Sequence, residues 1–227
     1  ARDRRTLISM VVVPILLMPV LRLGAGAIAV NVAQDREAEV RAVGWVNPEA
    51  TIVVGRGALV DLDLLVGEVA DAVQHDPTVP DRLQLDARAG VLDEKFAERE
   101  GGTDGELHER IGSTGKGVGA ARIGRIRRQP DRFRLLGEAA DDLDRRARAA
   151  GLPPLSGAIV EDTPGRLQRA RRAGRDLCLE GTQGTGLSLL HGPWPYVTSA
   201  DTTAAGFVSE AGLPPQHVTQ VLLVVRT

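Results

Sequence analysis

The sequence is short of several things that would narrow its function quickly. It has one cysteine, Cys178, so neither an internal disulfide framework nor a multi-cysteine zinc site can form. Cys178 stands in the run Asp176-Leu-Cys-Leu179 and is expected to be a small buried hydrophobe. Lysine occurs only at positions 95 and 116 and aromatics make up 3% of the chain, a skew toward Ala, Arg and Gly from which no function follows. An excess of either charge is missing too. The 28 Lys and Arg against 30 Asp and Glu leave a net charge of -2, which argues against a generic nucleic-acid or membrane-surface binder. The longest apolar run, Leu7 to Leu21, has 15 residues and is broken by Pro14 and Pro19, short of the roughly 20 that a spanning helix needs. Arg2, Arg4 and Arg5 before it and Ala25-Gly-Ala-Ile-Ala29 after it give the order of an export signal. The same residues also read as a buried strand with an irregular continuation, or as a divergent terminus.

What is present is enough apolar material, 43% of 227 residues, for one large domain or two small ones. From Glu49 onward short apolar runs alternate with amphipathic stretches. Thr51-Ile-Val-Val54, closed by Gly55-Arg-Gly57, predicts a buried strand and a tight turn. Asp61 to His75 predicts a helix capped by Asp61, with Leu62, Leu65, Val69 and Val73 on one face. Leu83 to Ala87 and Gly90 to Asp93 are short strand candidates, and Phe96 to Gly105 reads as a polar loop. Asp131 to Ala150 is the strongest helix signal, stopped by Gly151, and Pro164 to Ala173 predicts a shorter basic helix that ends at Gly174. Asp176 to Glu180 and Val221 to Val225 are strand candidates. The alternation predicts an α/β fold with a largely parallel central sheet flanked by helices.

Two polar, glycine-rich loops stand out. The first, Ile111-Gly-Ser-Thr-Gly-Lys-Gly-Val-Gly-Ala-Ala-Arg122, is not a P-loop. Arg110 takes the place of the first glycine, and Gly117 follows Lys116 where a hydroxyl is required. Its amides, hydroxyls and one cation suit a single phosphate monoester. The second, Glu180 to Thr203, gathers Gln183, Thr185, His191, Thr198, Ser199, Asp201, Thr202 and Thr203, a density of neutral hydrogen-bonding groups that suits a base or a sugar phosphate. Both also read as plain turn-rich loops.

Together with Gly44 to Asp61, these stretches resemble adenylosuccinate synthetase, most closely its short archaeal and phage form, over Gly44 to Thr227. The resemblance implies a P-loop-NTPase-related fold, here incomplete, with residues 1–43 a divergent segment and 44–227 the synthetase-like domain. It implies a cytoplasmic homodimer that uses GTP and Mg2+ to join aspartate to inosine monophosphate (IMP), with no nucleic acid and no membrane as partner. Thr114 matches the family's threonine on the nucleotide phosphate, with Ser113 beside it. Arg128, fourteen residues on, falls where the family places an arginine reaching that phosphate across the dimer interface, with Arg127 next to it. Gln183 matches a glutamine near the base and ribose, and Thr198, fifteen residues later, matches the second phosphate-contacting threonine. An arginine fork with hydroxyls binds a dianionic phosphate well. His191 is expected to be structural, and His75, His108 and His217 have no motif around them.

The family's G-D-E-G-K-G loop and G-H-T histidine have no match in residues 1–43, and its arginine-rich aspartate loop and guanine-recognition segment are not found either. Without an acid and a base the chain alone is expected to be inactive or nearly so, as a fragment or an interrupted gene. The alternatives are a non-catalytic nucleotide-binding or dimer-partner protein, and a phage-type synthetase acting on dGMP.

Overall fold

The computed structural model describes residues 28–31, 50–101, 110–128, 130 and 132–223. Its main sheet has five parallel strands in the order β6-β4-β2-β1-β7. They are β1 (Ile28–Asn31), β2 (Thr51–Val54), β4 (Leu83–Asp86), β6 (Ile159–Val160) and β7 (Leu177–Glu180). Strand β1 was not predicted. It lies between β2 and β7, pairing Ile28 with both Thr51 and Leu177. A two-stranded parallel sheet joins β3 (Leu59–Val60) to β5 (Gly90–Val91).

Strand alternation sends successive residues of β2 to opposite faces, and each face meets its own core. Val54 joins Leu62, Val66 and Val69 of helix α1 (Leu62–Val73) and Leu143 and Ala147 of α5 (Ala140–Ala149). Val53 joins Leu167 of α6 (Thr163–Arg172) and Ala211, at the end of α7 (Ala204–Glu210). Helix α1 starts where the sequence places it, because the Asp61 carboxylate accepts from the Asp63 and Leu64 amides at 3.0 Å each. Its buried ridge is Leu62, Val66, Val69 and Ala72, with Leu65 and Val73 on the flank. Helix α6 is capped by Asp162 and ends before left-handed Gly174. A short helix, α2 (Val79–Arg82), leads into β4.

Four expectations need correction. The stretch read as a loop from Phe96 holds helix α3 (Glu94–Glu100), which buries Phe96 completely in a smaller core with Leu59, Ala121 and Phe133. The strong helix is shorter than expected, since residues 132–135 are not helical. Leu135 forms an antiparallel bridge to Gly90, and a 3-10 turn over Leu136–Ala139 precedes α5. Cys178 is exposed; Leu177 and Leu179 pack on the Val53 core, so alternation turns the thiol to the other face. Val221 to Leu223 form no strand and are 63–70% exposed. High β-propensity makes no strand without an edge to pair with and a layer to cover it. Residues 224–225, residues 1–27 with the export-like run, and His108 lie outside the described residues.

Candidate functional site at the carboxyl edge of the sheet

In parallel sheets ligands bind at the carboxyl ends of the strands. Here β2 runs out into Gly55 and β7 into Gly181, and a small hollow between them is lined by Gly55, Gly57, Leu179, Glu180, Phe207 and Glu210. Both predicted loops reach this edge. The first leads into helix α4 (Val118–Arg127) and the second into α7. They meet at Gly119, where an added Cβ would lie 3.6 Å from Ser199 Cβ and 2.8 Å from Glu100 Oε1.

The second loop is built by its own polar groups. The Leu189 amide donates to Ala200 O at 2.8 Å and the Thr198 amide to Leu187 O at 2.9 Å. The Thr202 hydroxyl donates to Gly184 O at 2.7 Å. Asp201 is the hub, accepting from the Ser188 hydroxyl at 2.8 Å and the Thr203 hydroxyl at 3.0 Å. The Ser188 hydroxyl, with smaller help from Thr203, holds the Asp201 carboxyl below the ordinary carboxylate range against the opposing effect of burial. Part of the polar density that suggested ligand recognition is therefore structural. Gln183 stays exposed, at φ 65, and Thr198 is half-buried.

The first loop differs from expectation in one respect. Its amides are not all turned outward for a phosphate. The Glu100 carboxylate accepts from the Gly117 amide at 2.8 Å and from the Ala120 amide at 2.9 Å, filling the N-terminus of α4 with an internal negative charge. Gly117 sits at φ +83, and a Cβ there would come within 2.4 Å of the Ala97 amide nitrogen; only glycine permits this approach of α4 to α3. Ser113 Oγ accepts from the Gly115 amide at 3.3 Å. Gly112 and Thr114 are exposed, so the part of this loop open to a ligand is its first half.

Arg127 and Arg128 are exposed at the far end of α4, with Arg128 left-handed at φ 54. A ten-residue helix is about 15 Å long, so Arg128 is not beside Thr114 of its own chain. His191 and His217 are exposed, and His75 Nδ1 lies 3.1 Å from Asp71 O.

Sequence reasoning missed a buried charged group beneath the loops. Asp86, fully buried at the end of β4, accepts from the Thr163 hydroxyl at 2.5 Å and lies 3.5 Å from Arg56 Nε. Arg122 Nη1 lies 3.6 Å from Glu210 Oε1. Burial pulls the Arg125 guanidinium down, and neighbouring Arg122 acts the same way. No local motif announces these residues, because their partners come from distant strands and helices.

A parallel sheet with helices on both faces and two glycine-bearing loops at its carboxyl edge defines the class, an α/β protein with its loops where such folds take ligands. The family follows from comparison. The model of the adenylosuccinate synthetase family matches residues 24–151 and 152–227, and the chain belongs to that family. Adenylosuccinate synthetases of Methanocaldococcus jannaschii and Methanococcus aeolicus are each 36% identical to it over 186 and 184 residues, 81% of this chain. Those stretches are 48% and 49% of the relatives, so the chain spans about half the length of the curated proteins it matches. Among solved structures, the succinoaminodeoxyadenylate synthetase of cyanophage S-2L, bound to dGMP and dATP as an energy donor, superposes with a TM-score of 0.62 at 26% identity. It covers 88% of this chain and 55% of that one. The fully ligated Plasmodium falciparum adenylosuccinate synthetase superposes at a TM-score of 0.65 and 18% identity, over 87% and 54% of the two chains, a likeness of fold.

The family implies GTP and Mg2+. Among the described residues no group of three or more His, Cys, Asp or Glu is placed to hold a metal ion, and neither glycine loop has the P-loop pattern. These residues do not fit the triphosphate and its metal, and no step is derived through either. No helix among the described residues is long and apolar enough to cross a membrane.

Proposed function

We propose that this chain carries the nucleoside-monophosphate half-site of an adenylosuccinate synthetase. The whole enzyme's reaction is the GTP-dependent ligation of aspartate to IMP, in the cytoplasm and as a homodimer. Thr114, with Ser113 beside it, and Thr198 supply hydroxyls to the phosphate, Gln183 faces the nucleoside, and Arg128 is contributed by a second copy. The observation that carries this reading is the meeting of the two loops through Gly119 and Ser199 at the sheet's carboxyl edge, in a chain of this family. These residues bind and orient. The family loop and histidine that would supply base and acid have no match in residues 1–43, so the chain by itself is expected to bind nucleotide without turning it over.

Calorimetry with IMP tests the assignment. Binding to the wild-type chain, weakened at least tenfold in Thr114→Ala and in Arg128→Ala, is expected, since a hydrogen bond to a charged phosphate is worth about 1.5–3 kcal/mol. No binding to a folded chain refutes it. Because Arg128 lies a helix length from Thr114, affinity should also fall as protein is diluted below its dimerisation range.

A second reading, a synthetase acting on dGMP, is favoured by the cyanophage relative, whose structure holds dGMP. Tighter binding of dGMP than of IMP would select it. If nucleotide binds but the chain adds no ligation to what a full-length synthetase achieves alone, the chain is a non-catalytic nucleotide-binding or dimer-partner protein.

A further inference from the structure

The two candidate loops are each continued by a helix, and one ion pair joins the helices. Arg122 lies in the second turn of α4, which follows the first loop, and Glu210 is the last residue of α7, which follows the second. Arg122 Nη1 and Glu210 Oε1 are 3.6 Å apart, with side chains 20% and 23% exposed. Glu210 is itself seated on the turn after β2. A Cβ added to Gly57 would lie 2.7 Å from Glu210 Cβ and Oε2, so the absence of a side chain at Gly57 lets the end of α7 rest on the sheet. The path runs from the sheet through Glu210 to Arg122, and so from one loop to the other.

The environment favours a geometric role over net stability. Burial pushes the Glu210 carboxyl up, opposed by Arg122 and Arg125. Arg122 Nε and Glu210 Oε2 are buried without a hydrogen-bond partner among the described residues. Desolvation offsets the attraction of such a pair, while removing one member leaves the other charge uncompensated. A pair of this kind adds little to stability yet resists separation, which suits a spacer.

We propose that Arg122 and Glu210 are positioning residues that set the separation of the two loops and, through it, the affinity of the phosphate cradle. The consequence for affinity rests on the nucleotide reading above; the spacing does not. Neither residue is assigned contact with the nucleotide.

The test is a double-mutant cycle on the full chain with Arg122→Met, Glu210→Gln and the double variant, Glu210→Gln keeping shape and circular dichroism checking that each variant is folded. Spin labels at Thr114→Cys and Tyr196→Cys, in a Cys178→Ser background, report the loop separation without ligand. One narrow distance distribution is expected in the parent, a broadened or shifted one in each single variant, and no further change in the double. Calorimetry on unlabelled proteins should show IMP affinity reduced on the order of tenfold in each single and by no more in the double, since residues acting as one contact are non-additive. Unchanged distances in both folded single variants overturn the proposal, and so do losses that add in the double. Pair-dependent distances in a chain that binds no IMP would uphold the spacing and overturn the nucleotide reading.

Discussion

Replacing Glu100 with alanine tests whether an internal carboxylate, and not an open ring of amides, organises the start of α4. Glu100 ends α3 and accepts from the amides of Gly117, which precedes α4, and of Ala120 within it at 2.8 and 2.9 Å. Hydrogen bonds to a charged group contribute about 1.5–3 kcal/mol each, and a negative charge at a helix N-terminus adds about 0.3–1 kcal/mol. The lower ends come to about 3.3 kcal/mol, and because the side chain is half-buried and water answers part of the loss, the expected cost is about 2–3 kcal/mol. With a urea m-value of about 2–3 kcal/mol/M, the midpoint followed by circular dichroism should fall by about 1 M. Glu100→Gln, keeping one acceptor oxygen, should recover about half, whereas Glu98→Ala, at an exposed position of the same helix, should shift it by less than about 0.2 M. A Glu100→Ala shift no larger than the Glu98→Ala control would refute the reasoning.

Three further outcomes are expected. Gly117→Ala combines a left-handed φ of +83 with a contact of 2.4 Å to backbone, and should cost about 2 kcal/mol or more by the same assay. Asp86→Ala removes the buried acceptor of the Thr163 hydroxyl and the neighbour of Arg56, and should cost about 3–5 kcal/mol. Asp144 accepts from the Ser156 hydroxyl and amide at 2.7 Å each, and the hydroxyl, with smaller help from the amide, holds its carboxyl below the ordinary value against burial. A depressed carboxylate stabilises the fold fully above its unfolded pKa and loses that contribution as pH falls through its folded one. The stability gap between wild type and Asp144→Asn should therefore be constant above about pH 5 and close steadily below about pH 4. A gap unchanged down to pH 2 would contradict it.

The sequence was most informative where one local interaction settles an element. Asp61 caps α1 and Gly174 stops α6, and each is a short-range feature of neighbours in the chain. It was silent where the deciding contact is distant. Strand β1 is four residues whose evidence is pairing with β2 and β7, about 20 and 150 positions away. Helix α3 buries only Phe96 along Glu-Lys-Phe-Ala-Glu-Arg-Glu, so no apolar stripe exposes its period; the one available signal was Gly101, left-handed at φ 79 as its stop. Leu135 continues an apolar helical pattern yet faces Gly90 instead. At the site, the loops could be located by their glycines. Glu100, Asp86 and the Arg122–Glu210 pair could not, because their partners are 17 to 88 positions apart.

That difference bears on how the site is built. Each loop leaves its ligand-type residues in the chain next to glycines, where the backbone can turn tightly, and draws its support from elsewhere. Glu100 comes from α3 and reaches α4 where Gly119 has no side chain, Glu210 comes from the far end of α7, and Ser199 packs beside Gly119. Loops that line a ligand site gain nothing from hydroxyls whose spacing fluctuates by an ångström, since the binding contributed by each depends on reaching the same group together. The supporting carboxylates are therefore where function is most exposed to substitution without contact. If the loops instead kept their spacing by their own hydrogen bonds, as the Asp201 hub does within 181–203, then Glu100→Gln and Glu210→Gln would lower stability and leave nucleotide affinity unchanged.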